Sequence, residues 1–140
     1  MGEPFSHTLR VRYNECDLQG VVFNGNYLTY FDVGITELWR GLGGYEEMVA
    51  AGLDLVVAEA TVRYLAPLRF DDEFEVAITV ARLGETSMTT HYALSRDGEP
   101  VAEGELIHVF VSAGKGAKAP IPAPVREGLE SYAVSAERHR

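Results

Sequence analysis

Residues 14–31 read NECDLQGVVFNGNYLTYF, and a change of period across this stretch decides the fold. Just upstream, at residues 7–13 (HTLRVRY), Leu9, Val11 and Tyr13 alternate with Thr8, Arg10 and Arg12, the period of two that marks a strand. Gly20 and Gly25 then break the regularity. From Asn26 onward Tyr27, Phe31, Ile35, Leu38 and Leu42 recur in three- and four-residue steps, with Tyr30 and Trp39 widening the stripe. That spacing predicts a helix. Asn24 or Asn26 can cap its start, and Gly41, Gly43 and Gly44 end it. The segment is poor in charge, so most of its circumference must meet protein. Between strand and helix lies a carboxylate, Asp17, in a short polar segment. An acid in that place is either a cap or a reagent.

Downstream the chain reads as β-structure. Residues 53–66 alternate with Val56, Ala58, Ala60, Val62, Tyr64 and Ala66 on one side. Residues 73–83 group Phe74, Val76, Ile78 and Val80; residues 86–96 group Met88, Tyr92 and Leu94; residues 99–112 form a last strand after an Asp97-Gly98 turn signal. Residues 45–52 (YEEMVAAG) suggest a turn or short helix. A proline-rich loop, a short helix from about Pro124 to Tyr132 and a frayed ERHR end complete the chain. One strand, one main helix and four long strands predict an α+β architecture, an antiparallel sheet of about five strands wrapped around one apolar helix. Such a sheet has two edges, and long apolar edge strands invite pairing between subunits, so a homo-oligomer is expected.

The chain has 140 residues, 46% apolar and 24% charged, which suits one domain over residues 1–140 with a single core. Its net charge of −9 and pI near 4.8 repel phosphate backbones, so nucleic acid is not an expected partner. The only cysteine, Cys16, excludes an intrachain disulfide and fits a reducing compartment. MGEPFSHTLR has no apolar signal core and no run approaches a membrane span, so a cytoplasmic protein is expected. His7, His91, His108 and His139 are far apart, and no metal-ligand spacing is present. His108, on the face of Leu106 and Phe110, reads as a satisfied core histidine; His91 lies opposite the Tyr92 face. Cys16 reads as a small packing residue, Glu15 as a solvated or salt-bridged acid. GKGAK at 114–118 lacks the full phosphate-loop spacing and its hydroxyl residue.

RYNECDLQGVVFNGNYLTYFDVGITELWR and TVRYLAPLRFDDEFEV together resemble the hotdog-fold acyl-CoA thioesterases, and most closely the 4-hydroxybenzoyl-CoA thioesterase branch, from about Leu9 to Val111. The resemblance implies that Asp17 is the catalytic nucleophile or general base. It implies that the backbone N–H of Asn24, with Gly25 beside it at the helix start, binds the thioester oxygen. It further implies a dimer or tetramer with its active site at a subunit interface and an acyl-CoA as small-molecule substrate; no separate cofactor is expected, coenzyme A being part of that substrate. Tyr27 at the helix start and the strand positions Thr61, Arg63, Ser87 and Thr89 are candidates to meet the acyl group, pantetheine or nucleotide, with Arg82, Lys115 and Lys118 as further polar positions. Many relatives carry histidine or tyrosine at the position of Asn24, where the role is mainly a backbone one. The basic residues that grip the nucleotide in the 4-hydroxybenzoyl enzyme fall where this chain has Gly84, Glu85 and Thr86, so the resemblance supplies neither those contacts nor the identity of the substrate.

The chemistry is self-consistent. A thioester carbonyl is electrophilic and its thiolate leaves readily, so an oxyanion stabiliser and a nucleophile or base suffice. A helix N-terminus supplies unpaired N–H groups and partial positive charge. Two other readings are open from sequence: a hydratase or dehydratase on acyl thioesters, which would pair an acid with a histidine, and a non-catalytic acyl-binding module.

Overall fold

The structure is a computed structural model that describes residues 3–43, 48 and 50–134. Half of the expected turn or helix at 45–52 falls outside the described residues, and the ERHR end falls wholly outside them. The elements are β1 (Phe5–Arg10), a 3-10 turn (Tyr13–Glu15), α1 (Asn26–Gly41), β2 (Leu53–Tyr64), β3 (Glu73–Leu83), β4 (Ser87–Arg96), β5 (Glu99–Ser112) and α2 (Ala123–Glu130). The described strands form one antiparallel sheet in the order β1-β3-β4-β5-β2. This is the α+β arrangement that the period change implied.

The helix stripe is the core. Tyr27, Tyr30, Phe31, Ile35, Leu38 and Trp39 are all buried, against Phe74, Val76, Ile78, Val80, Met88, Tyr92, Leu94 and Phe110 from the inner face of the sheet. Phe31 lies flat on Tyr92, ring centroids 4.5 Å apart and planes 14° from parallel. Beneath it β5 has Gly104, where a Cβ would collide with the Thr61 carbonyl and come within 2.6 Å of the Phe31 ring. A side chain there would lift the helix off the sheet. The Asp97-Gly98 hairpin forms as expected, with φ of 53° and 80°, the left-handed pair of a type I′ turn.

Two expectations are corrected. The first strand ends at Arg10, not residue 13. Val11 leaves the ladder to bond Asp71 and Asp72 backbone groups, and Tyr13 turns outward, edge-on against Phe70. In β2 the predicted alternation holds only for the second half. Val57 faces His108 and Glu59 faces Ile107, so Ala58 is an extra residue in the ladder. That bulge reverses the faces. Leu53, Leu55 and Val57 pair with the inward β5 positions before it; Ala60, Val62 and Tyr64 do so after it. Val56 therefore faces away from the helix.

Gly104→Ala is expected to destabilise the fold by about 1–3 kcal/mol through overpacking against Phe31 and the β2 backbone. Urea unfolding would show this as a lower midpoint at unchanged m-value; an unchanged midpoint would mean that the helix is not seated on that glycine.

Candidate active site

The segment between β1 and α1 is a small hairpin. Asp17 N–H bonds Val21 O at 2.9 Å, and Phe23 N–H bonds Glu15 O at 3.0 Å. Its tip is a turn from Asp17 to Gly20, closed by Gly20 N–H to Asp17 O at 2.9 Å, with Gly20 at φ +80°, a conformation natural to glycine. The Val22 N–H bonds Leu68 O at 2.8 Å, pinning the hairpin to the segment between β2 and β3. Asp17 is exposed. One of its oxygens, Oδ1, accepts the Gln19 N–H at 2.9 Å; Oδ2 has no partner among the described residues. Asp17 thus caps its own turn with one oxygen and presents the other. The groove it lines is formed with Tyr13, Asn14, Cys16, Leu18, Gly20 and Phe70, without Asn24 or Gly25.

Helix α1 starts without a side-chain cap; Gly25 is its N-cap. Neither Asn24 nor Asn26 caps it, against expectation. Asn26 instead donates its side-chain amide to Glu15 O at 2.9 Å, tying the hairpin to the first helical turn. The carbonyls here are engaged: Phe23 O accepts Asn26 N–H at 2.9 Å, and Asn24 O accepts the Tyr64 hydroxyl at 3.0 Å. The N–H groups of Asn24 and Gly25 have no acceptor among the described residues, and both residues are exposed. Unpaired N–H groups at the positive end of a helix form a site for an anion or an oxyanion.

Glu15 is neither solvated nor idle. Its side chain is 21% exposed, and Arg12 Nε lies 4.0 Å from Oε2. Its Oε1 accepts the Tyr30 hydroxyl and the Arg12 N–H, each at 2.8 Å. Burial, then the bond to Glu15, raises the Tyr30 pKa, so the phenol stays protonated and donates. With Asn26, Tyr30 makes Glu15 the anchor that holds the Asp17 hairpin to α1. A hydrogen bond to a charged carboxylate is worth about 1.5–3 kcal/mol. The sequence carries a signal for it: Tyr30 sits one turn after Asn26 on the helix face turned to the hairpin.

The remaining candidates divide between the two sides of the sheet. Tyr27 is buried on the helix side, its ring edge-on to Tyr30 and Tyr64. Thr61, Ser87 and Thr89 pair with Glu105, Val109 and Ile107 on the outer face, and Arg63 there bonds Glu103 at 2.9 Å. His108 departs from expectation. It is buried, and its Nδ1 has no hydrogen-bond partner among the described residues. It lines a cleft between α1 and β2 with Asp32, Ile35, Thr36, Trp39, Leu55 and Val57. The spacing of Asp32, Ile35, Thr36 and Trp39 on one helix stripe was the available signal for this cleft. No described group of three or more His, Cys, Asp or Glu side chains is arranged to hold a metal ion. No described helix is long and apolar enough to cross a membrane.

A five-stranded antiparallel sheet on a single apolar helix, with an acid-bearing hairpin at the helix start, defines the class. The thioesterase-like superfamily model matches residues 11–129, and the chain belongs to that family of thioester hydrolases. A putative esterase of Aquifex aeolicus is 34% identical over 128 residues, covering 91% of this chain and 98% of that one. The acyl-CoA thioester hydrolase YbgC of Escherichia coli is 28% identical over 109 residues, covering 76% and 81%. Among solved structures, a gentisyl-coenzyme A thioesterase superposes with a TM-score of 0.81 at 26% identity, over 89% of this chain and 98% of that one. Family membership supports thioester hydrolysis over the hydratase and binding-module readings.

Burial lowers the pKa of His108 from its ordinary 6.5, partly countered by the Asp32 charge. The fold therefore favours the neutral imidazole. Above the ordinary value this stabilisation is full; as pH falls through it, the unfolded chain takes up a proton that the fold refuses, and stability declines. Wild type is expected to lose more unfolding free energy between about pH 7.5 and pH 5.5 than His108→Gln does. Equal losses in parallel denaturation series would contradict this.

Proposed function

We propose that the protein hydrolyses acyl-CoA thioesters, with Asp17 as nucleophile or general base and the N–H groups of Asn24 and Gly25 as the oxyanion hole. One observation carries the reading: two unpaired N–H groups stand at the start of α1, and Glu15 ties the hairpin bearing Asp17 to that same helix through Asn26 and Tyr30. The family membership supports it, and relatives named as acyl-CoA thioester hydrolase and gentisyl-coenzyme A thioesterase indicate the substrate class.

In this mechanism the thioester oxygen lies against the two N–H groups. The free Oδ2 of Asp17 either adds to the carbonyl carbon or takes a proton from a water that does so. As the C=O π bond becomes an oxyanion, the helix-end donors meet the new charge. Collapse expels the coenzyme A thiolate. On the nucleophilic route this leaves an Asp17 anhydride, which water opens to the free acid and the regenerated carboxylate.

The groove at Asp17 does not reach Asn24 in one copy, and a second copy is proposed to complete the site. β2 is an edge of the sheet, twelve residues long, with Val56 47% and Val57 56% exposed. A long apolar edge of this kind pairs with its equal. We therefore assign a homodimer through β2, or a tetramer built of two such dimers, as the working form.

Asp17→Asn is expected to cut coenzyme A release from aromatic and aliphatic acyl-CoAs by about a hundredfold or more, with circular dichroism and assembly unchanged. Equal thiol release by both proteins would remove Asp17 from the chemistry. In sedimentation equilibrium the protein is expected to run as a dimer or tetramer; a monomer at every concentration would refute pairing through β2.

A further inference from the structure

The two N–H groups at the start of α1 are aimed by different parts of the chain. The Asn24 N–H belongs to the peptide whose carbonyl is Phe23 O, and that oxygen is held within the turn by the Asn26 N–H. The Gly25 N–H belongs to the next peptide. Its carbonyl, Asn24 O, accepts a long 3.3 Å bond from Tyr27 N–H and a shorter one, 3.0 Å, from the Tyr64 hydroxyl. No described peptide is cis, so the Gly25 N–H points away from Asn24 O across one rigid plane. Whatever fixes that oxygen also fixes the N–H.

Tyr64 is well placed to do so. It is the last residue of β2, far from the helix in sequence. Its ring stands edge-on to Tyr27, centroids 5.1 Å apart and planes at 87°. Tyr27 meets Tyr30 in the same way, and Tyr30 is held by Glu15. The Tyr64 ring is therefore braced although 54% of the residue is exposed. A core role would need more burial than this.

We propose that Tyr64 is a positioning residue: its hydroxyl, by holding the Asn24 carbonyl, aims the Gly25 N–H at the thioester oxygen. The inference rests on the hydrolase reading above. A donor oriented before the reaction needs no reorganisation when charge appears. Donation to the carbonyl also polarises the peptide and strengthens its N–H as a donor. Both effects grow with charge on the substrate oxygen, so they act more on turnover than on ground-state binding.

Tyr64→Phe keeps the ring and removes only the hydroxyl. Its kcat for thiol release is expected to fall roughly tenfold, a fraction of the loss from deleting an oxyanion-hole donor. KM should stay within about twofold, and the melting temperature within about 2 °C. A second readout separates aiming from mere support. In the Asp17→Asn background, the carbonyl stretch of a bound acyl-CoA should lie below its solution frequency and move back toward it when Tyr64→Phe is added. Wild-type kcat in Tyr64→Phe, or an unmoved carbonyl stretch, would overturn the proposal. So would a loss of kcat explained by a lowered melting temperature. If Asp17→Asn is inactive while Tyr64→Phe matches wild type, this inference fails alone. If Asp17→Asn turns over normally, the active-site reading fails and takes this one with it.

Discussion

Everything in this fold follows from the need to bury one helix. Over sixteen residues α1 offers aromatic and aliphatic side chains on most of its circumference and charges on little of it. Exposed to water, each large side chain would forgo about 1.5–3 kcal/mol of burial. Helix-on-helix packing would cover one stripe. A twisted antiparallel sheet that curves round the helix covers more, and here four strands do so with inward rows of Val, Ile, Leu, Met, Phe and Tyr. The tightest point is Phe31, laid flat on Tyr92 above a glycine.

Burying the body of the helix leaves its start at the margin of the core, and the functional geometry arises there. Tyr27 and Tyr30 are the first buried residues of α1, while Asn24 and Gly25, just ahead of it, are exposed. The N–H groups of Asn24 and Gly25 have no acceptor among the described residues. Glu15 then fixes what lies beside them. It is the only element of the hairpin that grips the helix twice, by its carbonyl to Asn26 and its carboxylate to Tyr30. Held to the helix at Glu15 and to the segment between β2 and β3 at Val22, the hairpin keeps Asp17 on a short tether, while the turn itself is closed by Asp17's own backbone and Oδ1.

The legible parts of the sequence were those where one period runs without interruption. The α1 stripe, the inward rows of β3 and β4, and the span of β5 were all readable, because each side chain's face follows from its place in a regular repeat. The misreadings fell where a repeat breaks. The Ala58 bulge turned Val56 outward, since one extra residue reverses the faces and leaves no mark in composition. Asn24 and Asn26 were alternative caps; neither caps the helix, and the Asn26 amide bonds the Glu15 carbonyl eleven positions back. His108 was read correctly as inward and wrongly as satisfied, because partners for a buried polar atom come from other strands and helices.

The sequence by itself determined which segments are helix and strand, that one helix must be wrapped, and that an acid precedes its start. These are local properties, set by periodicity, turn chemistry and charge within a few residues. Only the tertiary structure decided which groups at that start are paired and which are open. Glu15 became an anchor, Asp17 kept one oxygen free, and Tyr64 came across from the end of β2 to hold the Asn24 carbonyl. Hydrogen bonds act over about 3 Å in space with no regard to distance along the chain, so the register of strands that bring them together had to be known first.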